Sequence, residues 1–170
     1  MVRRSILAGL VLACSMAGAA NAQEIRREAA PNAPIANSVE LPPGSRIVYV
    51  SGTVPDVADA AAPAGSPQRY GDTAAQTRSV LRTIEARLKA HGMTLGDVVM
   101  MRVFLVAPPG REAMDFAGMM TAYREFFGTA GQPNRPARST MEVAGLVDPG
   151  WLVEIEVTAA QAPGRPGRRR

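Results

Sequence analysis

Apolar positions along residues 46–160 recur with a period near two in some stretches and near 3.6 in others, and each change of period predicts a change of element. Arg46-Ile47-Val48-Tyr49-Val50-Ser51-Gly52 is β-branched and aromatic and ends at glycine, which predicts a strand. Residues 53–71 hold three prolines, two glycines and many alanines, so a long loop is expected, and loops of that length often carry function. Asp72 is placed to cap a helix from Thr73 to about Ala90, with Leu81, Ile84 and Leu88 on one face, Thr77 and Val80 beside them, and Gly92 as the stop. Asp97 to Ala107 is almost continuously apolar, the pattern of a strand buried on both faces, and Pro108-Pro109-Gly110 ends it. Phe116, Met120, Tyr123 and Phe127 form the apolar stripe of a second helix over Glu112 to Phe127, closed by Gly128. After a Gly/Pro/Asn loop at 129–137, Arg138 to Ala144 and Leu152 to Ala160 read as strands on either side of a hairpin-type turn, Asp148-Pro149-Gly150. The expected order is β-loop-α-β-α-β-β, an α+β fold with two helices on one face of a sheet and a short extra strand near Val39.

The strand Val98 to Ala107 has a consequence for assembly. Val99, Met101, Val103, Leu105 and Ala107 alternate with Val98, Met100, Arg102, Phe104 and Val106, so both faces are apolar and one charge interrupts them. Two helices cover one face of a four-stranded sheet. The other face then needs a partner, because a soluble monomer rarely exposes an apolar patch of that size. Pairing sheet faces between copies of the chain, in a cyclic oligomer, is the expected solution. The alternative is that loop 53–71 folds over the face, although its Ala/Gly/Pro composition offers little bulk to bury.

The ends of the chain differ from its middle. Arg3 and Arg4, the uncharged run Ile6 to Ala20, and Ala20-Asn21-Ala22 before Gln23 read as a secretory signal over residues 1–22. A weaker alternative is lipidation at Cys14, the single cysteine, within Val11-Leu12-Ala13-Cys14. Cleavage after Ala22 gives a periplasmic or secreted protein with no thiol and no stable membrane insertion. Residues 23–45 read as a flexible leader, 46–162 as the domain and 163–170 as a basic, disordered tail. Two arginines of the signal and four of the tail (Arg165, Arg168, Arg169, Arg170) account for the positive charge of the chain. The 13 basic residues that remain face 15 acidic ones, so the domain is about −2, which gives nucleic acid no basic footprint.

Candidate chemistry concentrates late in the chain. His91, the one histidine, lies at a helix end, and with no second histidine and no mature cysteine a metal site has no support. No GxGxxG or P-loop spacing is present. Pro136-Ala137-Arg138-Ser139 puts a guanidinium at the mouth of a strand, suited to grip a carboxylate by two parallel hydrogen bonds. Glu154 and Glu156 alternate with Val153, Ile155 and Val157, so the two carboxylates share a strand face, and Glu142 on the expected neighbouring strand adds a third. A carboxylate near an arginine positions water or passes protons, whereas the same residues also suit a plain ion-pair network at a subunit contact.

The segments Val48-Tyr49-Val50-Ser51-Gly52, Gln76-Thr77, Gly92 with Asp97-Val98-Val99, Val103-Phe104-Leu105, Tyr123 with Phe126-Phe127, Pro136-Ala137-Arg138-Ser139, Glu142-Val143-Ala144 and Val153-Glu154-Ile155-Glu156 occur in one order. Together they resemble the RidA (YjgF) family over roughly Ile47 to Ala160. The resemblance implies a chorismate-mutase-like α+β fold, a homotrimer with clefts between subunits, and hydrolysis of reactive enamines and imines such as 2-iminobutanoate to 2-keto acids and ammonia, with no metal or organic cofactor. It implies that Arg138 binds the substrate carboxylate, that Glu154 holds the attacking water, and that Ser51, Gly52 and the backbone near Thr140 line the cleft. Four positions depart from the family pattern. No tyrosine precedes the first strand in Ala36 to Leu41, with Tyr70, in the long loop, a candidate to replace it. Met120 stands where asparagine is common, Thr140 where cysteine is common, and the turn before Glu154 is one residue longer. These bear on the substrate more than on the fold. The alternative function is a non-catalytic trimer of the same family that binds small carboxylates or proteins.

Overall fold

The computed structural model describes residues 24–164. The expected signal segment, Cys14 and the arginines of the tail lie outside the described residues. The element order is β1 (Arg26–Glu28), β2 (Ser38–Glu40), β3 (Arg46–Thr53), α1 (Thr73–Ala90), β4 (Val98–Leu105), α2 (Phe116–Phe126), β5 (Ala137–Glu142) and β6 (Val153–Gln161), with single 3-10 turns at Pro67–Arg69 and Leu95–Asp97. A four-stranded sheet has the order β3-β6-β4-β5. β6 runs antiparallel to both neighbours, and β5 pairs with β4 in parallel. A parallel pair needs a long crossover, and α2 supplies it.

α1 follows its sequence signals closely. The Asp72 carboxylate accepts the Ala75 N–H at 2.8 Å, and Val80, Leu81, Ile84 and Leu88 are fully buried. α2 starts four residues later than the stripe suggests, at Phe116, because the cap that forms is Asp115, which accepts the Gly118 N–H. Both helices pack on one face of the sheet, against Met101, Val103 and Leu105 of β4 and Val153, Ile155 and Val157 of β6.

The opposite face is open within the chain. Met100, Arg102 and Phe104 of β4 lie there beside Thr158, Glu156 and Glu154 of β6, and Tyr49 of β3 is 77 % exposed. Within the chain β4 is covered on one face, and the other is the face expected to meet a partner copy. Loop 53–71 does not cover the other. It lies along α1, where the Asp56 N–H donates to the Ser79 hydroxyl and the Asp56 carboxylate accepts from Thr83, and it runs under Gly150, where an added Cβ would come within 2.6 Å of the Ser66 carbonyl.

Two further expectations are corrected. The expected flexible leader carries regular structure over its described residues, 24–45. β1 and β2 form an antiparallel ribbon, Arg27 donates to the Gly96 and Val98 carbonyls, and buried Ala36 bridges to Ala137 of β5. The extra strand near Val39 is β2. The turn Asp148-Pro149-Gly150 joins no hairpin, because β5 and β6 are separated by β4. The turn is held instead by Tyr70, whose hydroxyl donates to Asp148 at 2.7 Å, and by the Gly150 N–H.

Candidate functional site

Register decides which candidate residues meet. Arg138 is paired with Met101, and Met101 with Val157, so Arg138 points to the helix side of the sheet. Glu154 is paired with Phe104 on the open side. In addition, β4 lies between the two strands. A single chain thus carries Arg138 and Glu154 on opposite faces, and the two do not face one another within it.

Arg138 sits on the edge strand β5, half-buried against α2. Its guanidinium carbon lies 4.4 Å from the centre of the Tyr123 ring and 5.9 Å from that of Phe116. Nη2 donates to the Met120 sulfur at 3.2 Å, and Nη1 makes a looser 4.0 Å contact with the Met119 sulfur. Among the described residues no carboxylate pairs with it. Burial lowers its pKa below the ordinary value, the Tyr123 phenol opposes this, and Arg124 adds to it. An arginine so placed remains charged. The Tyr123 phenol is pushed up to about 12 by burial, against the opposing pull of Arg138 and Arg135, so it is neutral at any working pH. Two residues along the same strand face, the Thr140 hydroxyl oxygen is buried without a partner.

Glu154 is built into a second cluster. The register of β3 on β6 slips between Val50 and Thr53, so Ser51 and Gly52 together oppose one residue of β6. The bulge gives the glutamate its seat, since a Cβ on Gly52 would lie 1.8 Å from Glu154 Oε1. Glu156 pairs instead with Arg102 on the open face. Glu142 lies on the helix side, away from Glu154, and accepts the Met114 N–H at 3.2 Å. Tyr70 does not stand in for a missing active-site tyrosine, because its hydroxyl is committed to Asp148.

The structure therefore groups Arg138 with Thr140 and sets Glu154 against Gly52, with Ser51 beside Gly52 in the same bulge. Sequence reading missed the part played by Tyr123, Met119 and Met120, which it took for core or for departures from a pattern. The signal that could have found them is the spacing of Phe116, Met120 and Tyr123, which presents one helix face to whatever lies across it. Among the described residues no group of three or more His, Cys, Asp or Glu could hold a metal ion, and no helix is long and apolar enough to cross a membrane.

A family described as Endoribonuclease L-PSP matches residues 27–161. The chain belongs to this family, also called YjgF/RidA. The match begins within β1, so the family domain includes the ribbon. A 3-aminoacrylate deaminase RutC from Acinetobacter baylyi is 37 % identical over 131 residues, 74 % of this chain and 88 % of the relative. Among solved structures, the conserved Rid family protein YyfB of Yersinia pestis aligns with a TM-score of 0.61 and 25 % identity, over 82 % of this chain and 100 % of that one. TdcF of E. coli, solved with bound serine, aligns with a TM-score of 0.53 and 28 % identity, over 82 % and 98 %. The two helices and mixed sheet are the chorismate-mutase-like α+β fold expected from the sequence.

Proposed function

We propose that this RidA-family protein is a hydrolytic deaminase of reactive enamine and imine carboxylates, working at clefts between copies of the chain in a homotrimer. The observation that carries the reading is Arg138, a half-buried guanidinium held by neutral groups and paired with no carboxylate among the described residues. A cation kept in that state is a receptor for an anionic ligand. The similarity to a 3-aminoacrylate deaminase supports an enamine or imine as that ligand's reactive part.

The chemistry requires one more group. Arg138 fixes the substrate carboxylate and so the imine carbon. Glu154 of a neighbouring copy holds a water by accepting its hydrogen bond. Water adds to the imine carbon while one of its protons passes through Glu154 to nitrogen, and the carbinolamine's hydroxyl proton then passes to the same nitrogen as the C–N bond breaks and C=O forms, giving a 2-keto acid and ammonia. No step needs a cofactor.

The test couples the purified protein to an amino-acid oxidase or dehydratase that generates imines. Keto-acid release should accelerate, the acceleration should vanish in Arg138→Ala, and Glu154→Gln should lower it by about 10²-fold or more while carboxylate binding survives. Failure to accelerate with any imino acid would leave the non-catalytic carboxylate-binding trimer as the better reading.

A further inference from the structure

We propose that Tyr123 and Met120 are positioning residues that keep the Arg138 charge uncompensated and aimed. The inference rests on the carboxylate-binding role of Arg138 argued above, and it concerns what holds that group.

A partly desolvated arginine is normally steadied by a carboxylate. Here the steadying groups are the face of Tyr123 and the sulfur of Met120, with Phe116 and the Met119 sulfur further off. A ring face attracts a cation through its quadrupole and leaves the net charge in place. A thioether is a weak acceptor that fixes one N–H without neutralising the group. The guanidinium thus has a defined orientation and a full charge. An arriving carboxylate displaces no internal anion.

Tyr123 is itself held by the leader. Its hydroxyl donates to the Pro34 carbonyl at 3.0 Å, and its ring stacks on Phe127 with centroids 4.9 Å apart. Two residues on from Pro34, the Ala36 N–H donates to the Pro136 carbonyl at 2.9 Å, at the start of the strand that carries Arg138. Residues 34–36 therefore tie the platform and the arginine strand together.

The test uses the full chain and two probes, 2-oxobutanoate and its neutral methyl ester, with affinities from titration calorimetry. Tyr123→Leu should weaken 2-oxobutanoate about tenfold, raise the KM for the enzymatically generated imine by a similar factor with kcat within about twofold, and leave the ester unchanged. Tyr123→Phe keeps the ring and should stay within about threefold of the parent. Met120→Glu places a carboxylate beside Arg138 and should abolish 2-oxobutanoate binding, whereas neutral Met120→Gln should retain it. The Met120 pair decides the matter if Tyr123→Leu fails to fold. Equal loss of both probes in Tyr123→Leu, equal behaviour of the two Met120 variants, or no binding of 2-oxobutanoate by the parent would each overturn the proposal. Intact 2-oxobutanoate binding without imine hydrolysis would instead overturn the deaminase reading and leave the platform standing.

Discussion

Gly52 shows how a single missing Cβ fixes chemistry. The bulge in β3 is tolerated by any small residue, yet an added methyl would occupy the place of Glu154 Oε1, 1.8 Å from its ideal Cβ position. The clashing atom is the far end of a flexible side chain, so the glutamate moves and the strand does not. Gly52→Ala should therefore lower kcat by about 10²-fold with a thermal unfolding midpoint near that of the parent. A large loss of stability with unchanged kcat per folded molecule would contradict this. At this scale Arg138 and the glutamates Glu142, Glu154 and Glu156 stand out as charges on apolar strands, whereas the choice of Glu154 and the parts of Ser51 and Gly52 rest on the family resemblance. Tyr123 and Met120 read as part of an apolar stripe, and Met120 also as a departure from the family pattern, with no tie to Arg138. An apolar helical stripe looks the same whether it faces a core leucine or a cation.

At the scale of elements, α1 is tied to the 150–152 segment by one side chain. Gln76 is fully buried. Its amide donates to the Gly71 and Gly150 carbonyls at 2.9 and 3.0 Å and accepts the Leu152 N–H at 2.7 Å. Gln76→Leu strands three backbone groups, two of them buried, and should cost about 3 kcal/mol, read as a fall in the urea midpoint. The Tyr70–Asp148 bond ties the long loop to the same turn. The Tyr70 hydroxyl, then the Gly150 N–H, holds the Asp148 carboxyl below its ordinary pKa, while the same bond raises the Tyr70 phenol. A lowered carboxyl contributes stability that is present above its unfolded value, about 3.9, and is lost as pH falls through the folded value. A raised phenol contributes below its unfolded value, about 10, and loses it as pH rises further. The difference in melting temperature between parent and Tyr70→Phe should be flat from about pH 5 to 9 and shrink in acid. A difference that grows as pH falls below 4 would contradict the assignment.

The capped α1 was readable because cap, stripe and stop agree. The β5–β6 neighbourhood was misread because adjacency in sequence suggested a hairpin, whereas the α2 crossover fixes β5 on the outer edge of β4 and leaves the inner place to β6.

The whole molecule presents its sheet with one face covered and one open, and it places the two halves of the proposed site on opposite sides of that sheet. Alternation in β4 already pointed to an uncovered face, and the structure shows that loop 53–71 turns to α1 instead. What the sequence could not show is that Arg138 and Glu154 are divided by that same sheet, since strand order is a property of the assembled fold. If a site forms from them, it forms from two copies. Arg138→Ala and Glu154→Gln should each be inactive alone and should complement when co-assembled, because some clefts then receive Arg138 from one copy and Glu154 from the other. With random mixing in equal amounts, about a quarter of the clefts of a cyclic oligomer are complete, so about a quarter of the parent activity should return. Mixed assemblies no more active than either variant alone, with subunit exchange verified by mass, would contradict a site shared between copies of the chain.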